Sequence, residues 1–249
     1  MGTAIVLDLA DRAPAETLTR AADAVFDWFH EVDRRFSTYK EDSEVCRLDR
    51  GELTVAGASA DLRTVLDRCA ELWRETDGYS DAYATGRLDP SGYVKGWSVE
   101  VASARLAALG LTNHCVNAGG DVRVRGRSRD GGPWRVGVRH PWDPMAVCWV
   151  VQGTDLAVAT SGTYERGYHV VDPRSGQPAR ALRSVTVTGP DLGTADAYAT
   201  AAVAMGASGP DWLGRLALAT GYESGVVFED GRAYRSDHFP VAVRSGPSG

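Results

Sequence analysis

Residues 114–125 read HCVNAGGDVRVR, and this stretch decides the fold class. Two short apolar-rich runs flank Gly119-Gly120, the pattern of a tight β-hairpin. The same pattern recurs downstream. Segments 134–139 (WRVGVR), 146–152 (AVCWVVQ) and 155–160 (DLAVAT) are short, Val-rich and broken by Gly, Pro or Asp, with a second turn at Gly131-Gly132. They predict a largely antiparallel sheet. Residues 3–9 (TAIVLDL), 183–189 (RSVTVTG), 225–229 and 232–238 add further strands.

Helices stand on both sides of this block. Pro14 opens one, with Leu18, Ala22, Val25, Phe29, Val32 and Phe36 at three- and four-residue steps. A second begins near Ser59, carries Leu62, Leu66, Cys69 and Trp73 on its stripe, and stops before Gly78. A third is expected from Gly96 to Leu109. Two more are expected from Thr194 to Met205 and from Pro210 to Thr220. Helices, then strands, then helices predict an α+β fold with helices packed on the sheet, not an alternating doubly wound one. No linker or repeat interrupts the chain, so residues 1–249 are expected to form a single domain.

Composition narrows the function. The chain has 249 residues, 27 Lys+Arg and 33 Asp+Glu, a formal net charge of −6. That balance argues against a general nucleic-acid binder, which needs a basic footprint. Hydrophobic content of 43% and charged content of 24% are those of a globular protein, not a disordered one. No run is long and apolar enough to span a bilayer, so no direct membrane insertion is expected. No secretory pattern stands before the first strand, which predicts a cytoplasmic protein. A leader ahead of Met1 would instead direct it outside the cytoplasm. The four cysteines, Cys46, Cys69, Cys115 and Cys148, form no CxxC pair and are expected as thiols.

Six short constellations carry chemistry. Asp196 and Thr200 lie four apart on an expected helix, so carboxylate and hydroxyl share a face and suit Mg²⁺. Lys95 follows the turn Asp89-Pro90-Ser91-Gly92 and can meet a phosphate beside helix N–H groups. Thr160-Ser161-Gly162-Thr163 ends a strand in hydroxyls and amides, a concavity for an anion. His169, three residues before Asp172, can serve as a general base. Asp121 stands at the rim of the Gly119-Gly120 hairpin. Tyr39, just past the first helix, can stack on a flat ring. Each has a plain alternative: helix cap, solvated lysine, turn, structural histidine, bare hairpin, rim aromatic. Together they describe a nucleotide-type ligand and phosphoryl chemistry.

The order Met1-Gly2-Thr3, FSTYKEDSEV (36–45), TDGYSDAYA (76–84), LDPSGYVKGW (88–97), NAGGDV (117–122), ATSGTYERGYHVVDPRSGQP (159–178) and SVTVTGPDLGTADAYATA (184–201) resembles the ApbE family of FAD:protein FMN transferases. The likeness runs from residue 1 to about 206. The resemblance implies an α+β fold related to the tunnelling fold. It also implies Mg²⁺-dependent transfer of FMN from FAD, through its phosphate, to a Thr or Ser hydroxyl of an acceptor protein, releasing AMP. Carried over by position, Asp196, Thr200 and the Gly92 carbonyl are the expected metal ligands. Tyr39 is the expected flavin-stacking aromatic and His169 the catalytic base, with Asp196 as substitute. Met1, Asp81, Lys95, Asp121, Ser161, Gly162 and Asp172 are expected to line the FAD site. The competing readings are an FAD pyrophosphatase giving FMN and AMP, a non-catalytic flavin-binding protein, and a flavin transferase with a small-molecule acceptor.

Overall fold

The hairpin expected at 114–125 forms as read, with β2 (His114–Ala118) and β3 (Asp121–Arg125) antiparallel and Ala118 opposite Asp121. The computed structural model describes residues 3–163 and 170–242. The first strand is β1 (Ile5–Leu9). Helices α1 (Ala15–Phe36), α2 (Glu44–Asp49), α3 (Ala60–Glu75) and α4 (Ser91–Ala108) precede the hairpin. After it come β4 (Trp134–Arg139), β5 (Val147–Gly153), β6 (Asp155–Gly162) and β7 (Leu182–Gly189). Helices α5 (Leu192–Met205) and α6 (Gly209–Thr220), then β8 (Glu223–Phe228) and β9 (Ala233–Arg235), complete the described chain.

Seven strands form one open sheet in the order β1-β2-β3-β6-β7-β8-β9, and every neighbouring pair is antiparallel. β4 and β5 form a separate two-stranded ribbon. The period-2 alternation of a strand sends successive side chains to opposite faces. In β3, Val122 and Val124 enter a core with Trp134, Val138 and Val151 of the ribbon. Arg123, one step along, pairs instead with Glu100 of α4. The sheet is therefore covered by helices on one face and, at β3 and β6, by the ribbon on the other.

α5 is the innermost helix and packs on β6 and β7. Its sequence, LGTADAYATAAVAM, has six alanines in fourteen residues, which favours helix and allows close approach from every side. Asp191 caps it by accepting from Thr194 N at 2.7 Å. α4 crosses it where Gly96 faces Gly193. A Cβ at Gly96 would lie 2.5 Å from the Leu192 carbonyl oxygen and 2.7 Å from Gly193 Cα, so backbone blocks it. Gly96→Ala is expected to cost about 1–3 kcal/mol through overpacking. Gly214 in α6 has nothing within 4 Å of its added Cβ, so Gly214→Ala should stabilise by up to about 1 kcal/mol. Denaturant midpoints compare the two; equal midpoints would show that the crossing tolerates a methyl group.

Two local expectations are corrected and one short helix is added. The third helix starts at Ser91, not Gly96, because Tyr93, Val94 and Trp97 bury one face of its first turns. The short helix α2 went unread; the Ser43 side chain accepts from Cys46 N at 3.0 Å and caps it. Trp73, assigned to a buried stripe, is 52% exposed, and Val65 and Leu72 are buried instead. The four cysteines are free thiols.

Candidate functional site

The glycine crossing brings Lys95 of α4 beside Asp196 of α5. Asp121 reaches the same point from the start of β3. Lys95 Nζ lies 2.5 Å from Asp121 Oδ2 and 3.6 Å from Asp196 Oδ2. Both carboxylates are buried, at 1% and 2% exposure. Asp121 Oδ1 accepts from Thr160 N at 3.1 Å, which ties it to β6. On the same face of α5, one turn beyond Asp196, Thr200 Oγ1 meets Ser161 Oγ at 2.8 Å. Gly162 is the next residue of β6 and pairs with Ser184. Lys95, Asp121, Ser161, Gly162, Asp196 and Thr200 thus converge from four separate elements.

The electrostatics of this cluster are uneven. Burial raises the Asp196 pKa well above the usual carboxylate value, and the charge of Asp121 adds to the rise, against the pull of Lys95. Asp196 Oδ2 is ion-paired with Lys95 at 3.6 Å, and the same ammonium lies closer to Asp121 Oδ2. Two buried carboxylates that share one ammonium leave the cluster short of positive charge. A carboxylate oxygen, a hydroxyl one turn on and a second carboxylate are hard donors of the kind Mg²⁺ takes, with few protein ligands. The residues present therefore fit a divalent cation.

On the ribbon-facing side of the sheet the hairpin turn borders a cavity that none of the clustered residues lines. Gly119 and Gly120 have φ of +60° and +98°, and a Cβ on Gly119 would strike Thr3 Oγ1. Both glycines, with Asn117 and Thr160, line a cavity of about 310 Å³ closed by Arg135–Arg139 of the ribbon. A larger depression of about 780 Å³ lies between α6 and the β8–β9 end of the sheet, lined by Arg215, Leu218 and Tyr234 among others. None of the clustered site residues lines it.

The remaining predicted residues are placed as follows. Asp81 caps its own loop, accepting from Tyr83 N at 2.8 Å. Asp172 accepts from Arg174 N at 2.9 Å and Ser175 Oγ at 2.8 Å; burial works against its ionisation, but these bonds hold its pKa below the usual value. Arg174 joins the two loops. It donates to the Asp77 carbonyl at 3.0 Å and stacks 4.4 Å over the Tyr79 ring. Tyr39 stands 95% exposed between α1 and α2 and is not packed into the cluster. Gly92 is exposed in the first turn of α4, a helical position and not the turn that was expected. Met1 and His169 lie outside the described residues.

Sequence reasoning missed Glu100 and Arg123. Glu100 accepts from Leu192 N at 2.8 Å and so anchors the first turn of α5. Arg123, 2% exposed, pairs with it at 2.8 Å. Burial raises the Glu100 pKa against the pull of Arg123. The available signal was Arg123 itself, a charge at an alternate position in a Val-rich strand.

A profile of the ApbE family matches residues 1–86 and 81–220. Over 129 residues the chain is 36% identical to a Vibrio cholerae protein named FAD:protein FMN transferase, covering 48% of this chain and 39% of that one. A Rhodobacter capsulatus protein of the same name is 34% identical over 172 residues, covering 66% of this chain and 32% of that one. The chain thus matches well under half the length of these curated relatives. The solved flavin transferase ApbE from Vibrio cholerae superposes with a TM-score of 0.80 at 26% identity, over 96% of this chain and 95% of that one.

Proposed function

The chain belongs to the ApbE family, and from that premise we propose that it is an enzyme that moves FMN from FAD to a Thr or Ser hydroxyl of an acceptor protein, with AMP leaving. Residues 1–249 act in this reading as one catalytic domain. The observation that supports it is Asp196: a buried carboxylate that shares the single ammonium of Lys95 with the buried Asp121, one turn from Thr200.

Asp196, Thr200 and the Gly92 carbonyl would hold Mg²⁺. When bound, Mg²⁺ neutralises charge on the diphosphate and on the departing phosphate. Lys95, at the second turn of α4, offers a further positive charge to a phosphate oxygen. The amides and hydroxyls at Ser161 and Gly162 orient the same group. Asp121 fixes Lys95 in place. Tyr39, exposed as it is, can cover the flavin ring. Asp81 and Asp172 shape the loops that hold the substrate, and Met1 belongs to the same lining. His169 takes the proton of the acceptor hydroxyl as its oxygen bonds to the FMN phosphorus; the anhydride P–O bond breaks and its electron pair leaves with AMP.

The test is intact-mass analysis of the protein incubated with FAD, Mg²⁺ and a flavin-acceptor domain carrying a Thr target. The expected result is an FMN adduct on the domain with AMP in equal amount. AMP and free FMN without an adduct would make the protein a pyrophosphatase. Bound FAD without AMP under any divalent metal would leave only a flavin binder. No helix among the described residues is long and apolar enough to cross a membrane.

A further inference from the structure

We propose that Glu100 is a positioning residue for the cation site: through the Leu192 amide it fixes where Asp196 and Thr200 stand against Lys95 and Asp121, and so sets the affinity for the divalent ion. This rests on the reading above in which Asp196 and Thr200 hold Mg²⁺. Leu192, Asp196 and Thr200 follow one another at steps of four, so they share one face of α5. Glu100 Oε1 accepts from Leu192 N at 2.8 Å, one turn before Asp196. The first N–H groups of a helix have no acceptor within it. Asp191 takes one of them, from Thr194 at 2.7 Å, and lies next to the helix it caps. Glu100 takes another from a different helix, α4, and so ties α5 to the element that carries Lys95.

The anchor is itself held from β3. Arg123 Nε lies 2.8 Å from the same Glu100 Oε1, and Arg125 Nη2 lies 3.7 Å from Oε2. Arg123 is 2% exposed. It also pairs with Asp155 and donates to the Val124 carbonyl at 2.8 Å, so its planar guanidinium is engaged at three corners and cannot swing away. One carboxylate thus joins α4, α5 and β3, the elements that carry Lys95, Asp196 and Asp121.

Spacing shows what the joint controls. Asp121 pairs with Lys95, and two residues along β3 Arg123 pairs with Glu100, five residues along α4. Two strand residues rise about 6.6 Å and five helical residues about 7.5 Å, so the two pairs are successive rungs between β3 and α4. Their polarities are opposite. Sliding α4 by one rung would set Lys95 against Arg123, or Glu100 against Asp121, like charges in buried surroundings. Fixing register is the best-attested use of such pairs. The Gly96 crossing sets how closely α4 and α5 approach; Glu100 sets how far along each other they lie. It acts on Asp196 through the backbone of α5.

The test titrates the protein, with FAD present, against Mn²⁺ and follows the free ion by its EPR signal. Glu100→Met/Arg123→Met removes both charges together, so neither is left buried without the other. Its Mn²⁺ affinity should fall about tenfold or more. Glu100→Gln keeps an oxygen for the Leu192 amide and should stay within about threefold of wild type. Val124→Ala, on the ribbon face of the same strand, opens a cavity and lowers the melting temperature, but should leave Mn²⁺ affinity unchanged. Wild-type affinity in the folded double variant overturns the positioning role and spares the metal assignment. An equal loss in Val124→Ala makes the effect one of stability alone and overturns the role; a Gln variant as weak as the double variant does the same, since the bond to Leu192 then counts for nothing. If the double variant does not fold, Glu100→Ala decides in its place, because Arg123 keeps Asp155, and unchanged affinity there overturns the role. No Mn²⁺ bound by wild type overturns the role and the metal assignment together. Binding is read directly, so the result stands whether FMN goes to a protein or to water.

Discussion

Asp196→Ala should abolish Mg²⁺-dependent turnover, lowering AMP release from FAD by at least about 10³-fold, since a catalytic metal is worth several kcal/mol. The side chain is 2% exposed and its pKa is driven up by burial and then by Asp121. Lys95 is one positive charge shared between two carboxylates. A site of this kind carries excess anionic charge, which is the condition that favours a divalent cation. Asp196→Asn separates function from folding. It keeps the shape and removes the repulsion with Asp121, so thermal stability without metal should be equal or higher while turnover is lost. Rates measured across a Mg²⁺ titration read the first effect and melting curves the second. Undiminished turnover in either variant would remove Asp196 from the metal assignment.

His169→Ala should slow transfer by about 10²–10⁴-fold with FAD binding retained. A Thr hydroxyl has a pKa far above neutral and needs a base within hydrogen-bond reach. Wild-type transfer should therefore rise with pH through the range in which imidazoles lose their proton, and the variant should lack that limb. Flavin fluorescence titration measures binding and intact mass measures transfer. If affinity for FAD falls in step with the rate, His169 holds substrate or structure and is not the base.

The strands were legible because short-range rules governed them. The boundaries of β2 and β3 match the reading residue for residue, since Gly119-Gly120 fixes the turn and alternation fixes the faces. The start of α4 was not legible: Asp89-Pro90-Ser91-Gly92 reads as a turn, and only burial of Tyr93, Val94 and Trp97 makes the first turns helical. Asp196 with Thr200 could be paired from helical spacing alone. Their meeting with Lys95, Asp121 and Ser161 could not, because the contacts come from four elements separated along the chain. Gly96 and Gly193 carried that information without showing it, since Gly96 is met by the backbone of Leu192 and Gly193, and Gly193 by the Tyr93 ring and the Trp97 amide. Tyr39 shows the converse. Its residue type suggested a ring that stacks on a flat ligand, and it stands 95% exposed, where only a bound ring or partner would cover it.

The register of β3 on β6 carries one more consequence. Arg125 and Asp155 are direct partners across the sheet, so the chain that departs after one returns beside it. The ribbon between them is spliced into the scaffold at a single seam, and the sheet closes whether that excursion is long or short. Lengthening such an insertion costs little in loop entropy. Only the tip is free of that closure: the body of the ribbon stays fixed, because Trp134, Val138 and Val151 pack on Val122 and Val124 and Val151 bridges to Val241.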